Sequence, residues 1–364
     1  MKRTIDLCLC LLFLYGCENE LEFRPKDSHP QLVMNALLQT EDTVHTVYFS
    51  ISDVDHIQQA KNAEVSCYIN DVLAAKSDSS QVDPSKKLHV YCTFPAVFHP
   101  GDKIRLEGKA NGGALHATAE VIAPEVPSDI VGVDTLNVRR NDNGKLRNCM
   151  QFKIHIKDRA HEENHYRLSM HIDFVRYLHA EADRIHPTLD RQIQRSYPVV
   201  VDSKEDPILS DGQVLVNDND DIWGTYVENI YTIFNDRQFK DGEATLKVFA
   251  RSDHLLPSAY PWNDSSNDAF FYEPDKHGRR AYIYFNSERV TRKIKVSLRS
   301  MDDQYYRYLR VMNYLRYDNY EPALMEPVII PNNVKEGLGF VGISTATYRY
   351  VELPEITYGT LYGQ

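Results

Sequence analysis

The feature that most restricts the fold of this chain is an alternation of apolar and polar residues that recurs in short segments between residues 31 and 123. Successive side chains of a strand point to opposite faces of a sheet, so each segment predicts a strand with one buried face. Turn sequences such as residues 99–102 separate the segments. Roughly seven such strands predict an immunoglobulin-like β-sandwich over residues 31–123. The clearest segments are 44–51, 65–69, 88–94, 104–107 and 115–122.

Two prolines, Pro124 and Pro127, mark the end of that domain. Proline is disfavoured in helix interiors and in central strands alike, so this stretch predicts a linker. Strand patterns return beyond it, which predicts a larger β-rich domain over residues 128–364. The whole chain is therefore predicted to be mainly β. The returning segments are 130–138, 150–156, 166–177, 244–250, 281–285 and 294–298.

One stretch of the second domain changes to a helical period. Tyr305, Leu309 and Met312 recur at spacings of four and three, so they share one helical face. This stripe predicts one helix near residues 301–318 that packs on a sheet.

Both ends of this helix carry their own signals. Ser300, followed three residues later by Asp303, has the spacing of a capping arrangement. The loop of residues 321–339 contains three prolines and two glycines. Proline limits the entropy lost on ordering, and glycine permits backbone angles closed to other residues. The loop is therefore predicted to be ordered and packed beside the helix.

Composition excludes several classes of protein. Hydrophobic residues make up 42% and charged residues 26% of the 364 residues, as in a folded globular protein. The net charge of −11 argues against nucleic acid as a partner, because that binding depends on clustered Lys and Arg. The sequence contains no recognisable nucleophile with an evident base and no phosphate-binding loop. The chain is therefore predicted to be no enzyme and to need no cofactor.

The first 17 residues predict the compartment. Two basic residues precede an apolar run at 5–15, which is the layout of a secretory signal. The run is too short to span a bilayer, which needs about 20 apolar residues. Its end, from Leu14 to Cys17, resembles a bacterial lipobox, although Tyr15 departs from that pattern. The resemblance implies that residues 1–17 form a lipoprotein signal and that Cys17 carries acyl chains such as palmitate. A plain signal peptide is the alternative.

The residues after Cys17 indicate a destination. Glu18, Glu20 and Glu22 resemble the acidic export signal that sends Bacteroidota lipoproteins to the outside of the outer membrane. A solvated tether over residues 18–30 accounts for the same composition. We therefore expect an outer-membrane lipoprotein that faces the cell exterior.

Two cysteines of the first domain lie in phase with apolar residues of their strands. Cys67 is in phase with Val65 and Ile69, and Cys92 is in phase with Val90 and Phe94, so both point at a core. In an oxidising compartment Cys67 and Cys92 either form a disulfide or remain two buried thiols. The sequence leaves both alternatives open.

Two motifs suggest metal sites. Residues 161–165 match the H-E-x-x-H pattern of zinc peptidases, in which two histidines one helical turn apart bind zinc. Strand patterns flank this pentapeptide, and a loop between strands does not place both histidines on one helical face. The acidic residues 217–221 suggest calcium but fail the EF-hand pattern. No metal is therefore expected.

Five aromatic residues surround a polar loop of the second domain. Such rings stack on a sugar or a peptide, or face a partner protein. We treat them as candidate ligand-binding residues, with aromatic residues tucked into a core as the alternative. They are Tyr260, Trp262, Phe270, Phe271 and Tyr272.

Segments in the C-terminal half resemble a known family when taken in order. Examples are Asn235-Asp236-Arg237 and Gly337-Leu338-Gly339-Phe340, together with residues 297–301 and 304–309 and the run 326–334. In this order they resemble the Bacteroidota lipoproteins grouped as domain of unknown function 4249. Members of that family tend to occur beside TonB-dependent transporters. The resemblance implies a surface accessory role in uptake and supplies no catalytic residues.

These observations predict a surface-exposed lipoprotein of the outer membrane that acts by binding. The leading hypothesis is a non-catalytic accessory subunit of a TonB-dependent nutrient uptake system. A stand-alone glycan- or peptide-binding lipoprotein is the second hypothesis, and a zinc metallopeptidase is the third.

Overall fold

The computed structural model describes a mainly β protein with one α-helix near the C-terminus, as predicted. The described residues are 29–53, 56–126, 129–142, 144–158, 162–180, 189–210, 229–257, 270–274, 280–284, 287–316 and 329–359. The first strands are β1 (Gln31–Gln39), β2 (Val44–Ser52), β3 (Ile57–Gln58), β4 (Glu64–Ile69), β5 (Val72–Ser77), β6 (Gln81–Val82), β7 (Val90–Pro95), β8 (Lys103–Ala110) and β9 (Leu115–Ile122). The next are β10 (Asp129–Asp142), β11 (Lys145–Lys157), β12 (His165–Ala180), β13 (Leu189–Pro198), β14 (Ile233–Asn235) and β15 (Glu243–Arg251). The last are β16 (Phe270–Pro274), β17 (Arg280–Tyr284), β18 (Ser287–Met301), helix α1 (Asp303–Leu315), β19 (Val334–Lys335) and β20 (Val341–Gly359).

One sheet extends through both halves of the protein in the strand order β13-β12-β18-β20-β1-β2-β7-β6. A five-stranded sheet, β19-β9-β8-β4-β5, shares a hydrophobic core with its N-terminal half. A three-stranded sheet, β10-β11-β15, shares a second core with its C-terminal half. The long strand β20 belongs to both halves, because it pairs first with β1 and then with β18.

The N-terminal half is a two-sheet sandwich. Its strands follow the predicted alternation, with Leu32, Met34 and Leu38 of β1 buried in the core. The strands β1-β2-β7-β6 face the sheet β19-β9-β8-β4-β5 across this core. Membership of the immunoglobulin-like class stays a prediction.

A segment from the far end of the chain completes this sandwich. Residues 334–344, which we call the closing segment, pair with β9 through β19 and run parallel to β1 at the start of β20. Val334, Val341 and Ile343 are buried in the sandwich core. The predicted division at residue 124 assigned this segment to the second domain, but its side chains belong to the first core. Alternation alone does not reveal which distant strand a segment pairs with.

Two glycines allow the closing segment to lie against β1. A Cβ on Gly337 would stand 2.5 Å from the carbonyl oxygen of Leu32 and 2.8 Å from the Cβ of Ala117. Gly339 has φ +119°, and a Cβ there would collide with the carbonyl oxygen of Met34. Only glycine fits such positions without displacing the neighbouring strand. Residues 334–338 of the predicted loop lie against β1 and β9, whereas residues 321–328 lie outside the described residues, so order over the whole loop stays a prediction.

The C-terminal half packs two sheets face to face. Tyr166, Leu168 and Ile172 of β12 meet Phe152 and Ile154 of β11 in the second core. Strands β13, β12 and β18, with β20 beyond residue 344, form what we call the central sheet. The three-stranded sheet covers one face of this central sheet. The side chains on the opposite face are therefore not part of the second core and need not be apolar.

Helix α1 packs over the junction of the two halves. Tyr305, Tyr306 and Leu309 are buried with Met301 and Phe340 in a small third core. Met312, predicted to share the buried face, is only half-buried. In the described part of the chain, no helix is long and apolar enough to span a membrane.

Asp302 caps the N-terminus of α1, where the sequence suggested Ser300. The Asp302 carboxylate accepts a hydrogen bond from the backbone N–H of Tyr305 at 2.7 Å. Ser300 is still part of strand β18, where it pairs with Thr345. Strand β18 continues to Met301, beyond the predicted cap, so Asp302, the first residue after the strand, takes the capping position.

Cys67 and Cys92 are free, buried thiols, which is the second alternative from the sequence. Burial raises the pKa of Cys67 to about 12. Burial, followed by the charge of Glu64, raises the pKa of Cys92 to about 11. The Cys92 thiol donates to the carbonyl oxygen of Ala63 at 3.2 Å. Both thiols are therefore protonated core side chains at neutral pH.

Candidate functional site

The face of the central sheet that points away from the three-stranded sheet carries polar, basic and aromatic side chains. We call it the outer face. Its side chains come from β12, β18 and β20 and stand in rows across the three strands. The rows are Arg167, Arg299 and Ala346; Ser169, Ser297 and Tyr348; His171, Lys295 and Tyr350; and Asp173, Lys293 and Glu352.

The sequence of β18 explains why the outer face is basic. Ile294, Val296 and Leu298 point into the second core and are fully buried. The residues between them, from Lys293 to Arg299, must therefore point outward. The same alternation places Leu168 and Ile172 of β12 inward and its polar residues outward. A basic, tyrosine-bearing surface thus lies on a protein whose net charge is −11.

The middle of the outer face is built around two exposed tyrosines. Tyr348 and Tyr350 are 52% and 48% exposed, and their rings meet edge to face with centroids 5.5 Å apart. The Lys295 ammonium lies 4.3 Å from the centre of the Tyr348 ring. Lys293 forms an ion pair of 2.9 Å with Glu352. Exposed rings beside a cation provide both stacking area and positive charge for a ligand.

One end of the outer face lies under helix α1. Arg167 and Arg299 are directly opposite each other on β12 and β18. Arg299 forms an ion pair with Glu41 at 2.5 Å. The Arg167 guanidinium interacts with the hydroxyl of Tyr305 from the helix. Burial lowers the pKa of Arg167, and the charge of Arg299 lowers it further, against an opposing effect of Tyr305.

His171 lies between this end and the tyrosine pair. Burial lowers the pKa of His171, and the positive charges of Arg299, Lys295 and Arg167 act in the same direction, against Asp173. The imidazole is therefore neutral at physiological pH. Burial is the main cause of this shift, and the neighbouring positive charges add to it.

The opposite end of the outer face opens into a cavity of about 550 Å³. The Arg289 guanidinium lies 4.6 Å from the centre of the Tyr177 ring at its wall. His179 and Asp190 interact at 2.7 Å on the neighbouring wall. A volume of this size is typical of small-molecule sites, which range over roughly 300–1,000 Å³.

The metal motif of the sequence does not form a metal site in the part that the structure describes. His161 lies outside the described residues, and Glu162 is exposed. His165 begins strand β12, buried against Tyr306 with ring centroids 4.6 Å apart. The flanking strands β11 and β12 confirm the prediction that this pentapeptide connects strands. Among the described residues, no three His, Cys, Asp or Glu side chains converge as metal ligands.

The other predicted site residues are placed only in part. Cys17, Tyr260 and Trp262 lie outside the described residues, as does the acidic run 217–221. Phe270, Phe271 and Tyr272 belong to strand β16, which pairs with β17 in a separate hairpin. The structure therefore leaves the binding role of this aromatic cluster a prediction.

Sequence reasoning missed the outer face, although β18 carried a signal for it. Lys293, Lys295 and Arg299 alternate with apolar residues, which is a strand with one basic face. The sequence of β18 does not show which strands pair with it. Arg167 and Tyr348 lie far away in sequence, and only the pairing of β12, β18 and β20 brings them together.

Comparison with known proteins gives a family and little else. A family model described as "Domain of unknown function (DUF4249)" matches residues 18–349. No curated protein matches the chain. Among solved structures, the chain is similar to a DUF4785 family protein from Legionella pneumophila subsp. pneumophila str. Philadelphia 1, at 10% identity over 71% of this chain and 51% of that chain, with a TM-score of 0.20. The chain thus spans about half of that protein's length, and a likeness this weak carries no argument.

Proposed function

We propose, from the premise that this chain belongs to the DUF4249 family of domains of unknown function, that it is an outer-membrane lipoprotein facing the cell exterior and binding an anionic ligand on its outer face. In this proposal it is a non-catalytic accessory subunit of a TonB-dependent nutrient uptake system. The ligand is the nutrient that the transporter takes up.

The observation that carries the proposal is the charge of the outer face. Four cations, Arg167, Arg299, Lys293 and Lys295, lie on two adjacent strands of an acidic protein. Glu41 and Glu352 pair with Arg299 and Lys293, whereas Arg167 and Lys295 form no ion pair among the described residues. Concentrated charge of one sign attracts ligands of the opposite sign and raises their association rate. Rigid strands also hold the side chains in fixed positions, which lowers the entropy lost on binding.

The N-terminal sequence supports the location. The Leu14 to Cys17 pattern resembles a lipobox, and the acids at 18, 20 and 22 resemble a surface export signal. A lipid on Cys17 would anchor the protein in the outer membrane through the tether 18–30. The likeness to lipoproteins that occur beside TonB-dependent transporters supports the accessory role.

A stand-alone glycan- or peptide-binding lipoprotein is the second candidate. The exposed Tyr348 and Tyr350 pair favours it, because such rings stack on sugars and on peptide side chains. The two candidates differ in whether a transporter accompanies the protein.

Co-isolation from native membranes tests the proposal. The tagged, lipidated protein is extracted from its own outer membranes in mild detergent and its partners are quantified. We expect a TonB-dependent transporter to be recovered with the protein in a near-equal molar amount. The Lys295→Glu variant, which changes only the outer face, should still be recovered with the transporter. Recovery without any transporter would reject the accessory role in favour of the second candidate.

The anchor requires its own test. Cys17→Ala should abolish acyl labelling and release the protein from the membrane fraction. External protease should digest the wild-type protein on intact cells. Acyl labelling that persists in Cys17→Ala would remove the lipoprotein assignment.

A further inference from the structure

Arg167 and Arg299 form an unusual pair, because two cations stand directly opposite each other on adjacent antiparallel strands. The Cβ atoms of such a pair are about 4.5–5.5 Å apart, and like charges at this distance destabilise the sheet. Both side chains are only partly exposed, so water screens the repulsion less than at the open surface. The pair therefore requires compensating negative charge.

The protein supplies only part of that charge. Glu41 pairs with Arg299, whereas among the described residues no carboxylate forms an ion pair with Arg167. The Nε of Arg167 and the Oγ of Ser169 are buried without a hydrogen-bond partner in the described part of the chain. Ser169 follows Arg167 on the same face of β12, so both unsatisfied groups lie together.

Arg140 shows how this chain satisfies a partly exposed arginine elsewhere. The Arg140 guanidinium donates to Asp202 at 2.8 Å and to Glu205 at 2.5 Å. It also covers the ring of Phe249 at 3.7 Å. Among the described residues, Arg140 thus pairs with two carboxylates, whereas Arg167 pairs with none and interacts with the neutral hydroxyl of Tyr305. Leaving a buried N–H group and a buried hydroxyl unsatisfied is costly, and a ligand that accepts from both would remove that cost.

The unsatisfied groups define what the ligand must be. A guanidinium presents parallel N–H donors that match the two oxygens of a carboxylate or of a phosphate. The Ser169 hydroxyl adds a third donor on the same side. An oxyanion meets all of these groups at once, whereas a neutral sugar hydroxyl leaves the charge uncompensated.

We propose that Arg167, Ser169 and Arg299 form a pocket for the carboxylate or phosphate group of a ligand, whose remainder lies along Tyr348 and Tyr350. These tyrosines stand in the next two rows of the outer face. Neighbouring rows are about 6.8 Å apart, since each row advances two residues along a strand. This inference rests on the proposed function, in which the outer face binds an anionic ligand, because the pocket is one end of that face.

Thermal denaturation of the purified full-length protein, with or without lipid, tests the pocket. Sodium phosphate and sodium acetate are compared with sodium chloride at equal ionic strength and pH. Phosphate, acetate or both should raise the unfolding midpoint of the wild-type protein above its value in chloride, by mass action on the folded state. A response to phosphate alone identifies a phosphate group as the ligand's anion, and a response to acetate alone identifies a carboxylate.

Three variants make the test specific. Ser169→Ala and Arg167→Met should each weaken anion binding about tenfold, as loss of a charge-assisted hydrogen bond does. Ser169→Ala removes an unsatisfied buried hydroxyl, so the protein should fold normally without anion. Arg140→Met, the matched control, should lose stability yet keep the full response to anion.

Two results would overturn the pocket. One is no difference between chloride and both oxyanions in the wild-type protein. The other is an equal oxyanion response in all four proteins, which shows general screening of charge. Neither result depends on a membrane or a transporter, so this test and the co-isolation experiment fail independently.

Discussion

Tyr308 stacks on Phe340 with ring centroids 4.2 Å apart and ring planes 5° from parallel. Tyr308 belongs to helix α1, and Phe340 lies in the closing segment that completes the N-terminal sandwich. The contact therefore fastens the helix to the segment that joins the two halves. It also fixes the end of the outer face where the hydroxyl of Tyr305 meets Arg167.

Truncation of Leu309 should destabilise the whole protein. Leu309 is 1% exposed in the third core, and core Leu→Ala changes cost about 2–5 kcal/mol. Urea denaturation of Leu309→Ala should show this loss. Gln304→Ala, an exposed change on the same helix, is the control and should stay close to wild type. An unaltered midpoint in Leu309→Ala would remove the helix from the core.

Gly337→Ala should loosen the closing segment. The new Cβ would stand 2.5 Å from the Leu32 carbonyl oxygen, so the backbone has to move at a cost of about 1–3 kcal/mol. Limited proteolysis should then cut residues 329–340 faster than in wild type. Gly132→Ala is the control, because its Cβ meets only a His155 ring atom at 3.4 Å. Equal cutting rates in both variants would contradict the close contact.

Glu162→Ala should leave the protein unaffected. Glu162 is exposed at a strand connection, and His165 is buried against Tyr306 instead of pointing at a shared metal. The melting temperature and the zinc content of the purified protein should therefore match wild type. Stoichiometric zinc in wild type that disappears in the variant, together with lost peptidase activity, would revive the third hypothesis.

Stability should fall as the pH drops below about 6.5, the ordinary pKa of histidine. In the folded protein, burial and the charges of Arg299, Lys295 and Arg167 lower the pKa of His171, against Asp173. The unfolded chain therefore binds the proton first, and unfolding becomes more favourable as pH falls. Burial also lowers the pKa of His45 and His165, so His171→Gln should reduce the pH slope without abolishing it.

Urea denaturation in chloride between pH 7.5 and 5 measures this slope. If His171→Gln kept the full wild-type dependence of stability on pH, a lowered pKa of His171 in the folded protein would be contradicted.

Local pattern predicted the secondary structure well. Alternation located the strands, and the spacing of Tyr305 and Leu309 located the helix, because both signals arise within a few residues. The exact helix start was missed, since Ser300 and Asp302 are equally good caps and the length of β18 decides between them. Tertiary context of this kind is absent from a local pattern.

Long-range pairing escaped prediction. The closing segment pairs with β1 across some 300 residues, as when Asn35 accepts from the backbone N–H of Phe340. The outer face likewise depends on which strands are neighbours. Its basic strand was readable in Lys293, Lys295 and Arg299, but the opposition of Arg167 to Arg299 follows only from strand register.

Native mass spectrometry of the protein released gently from its own outer membranes tests the central claim most directly. The claim is that the outer face holds an anionic ligand. The wild-type protein should carry a bound small molecule of defined mass, and Lys295→Gln combined with Tyr348→Ala should lose it, while the Arg140→Met control keeps it. A wild-type protein without any adduct, or an adduct that persists unchanged in the double variant, would contradict the claim.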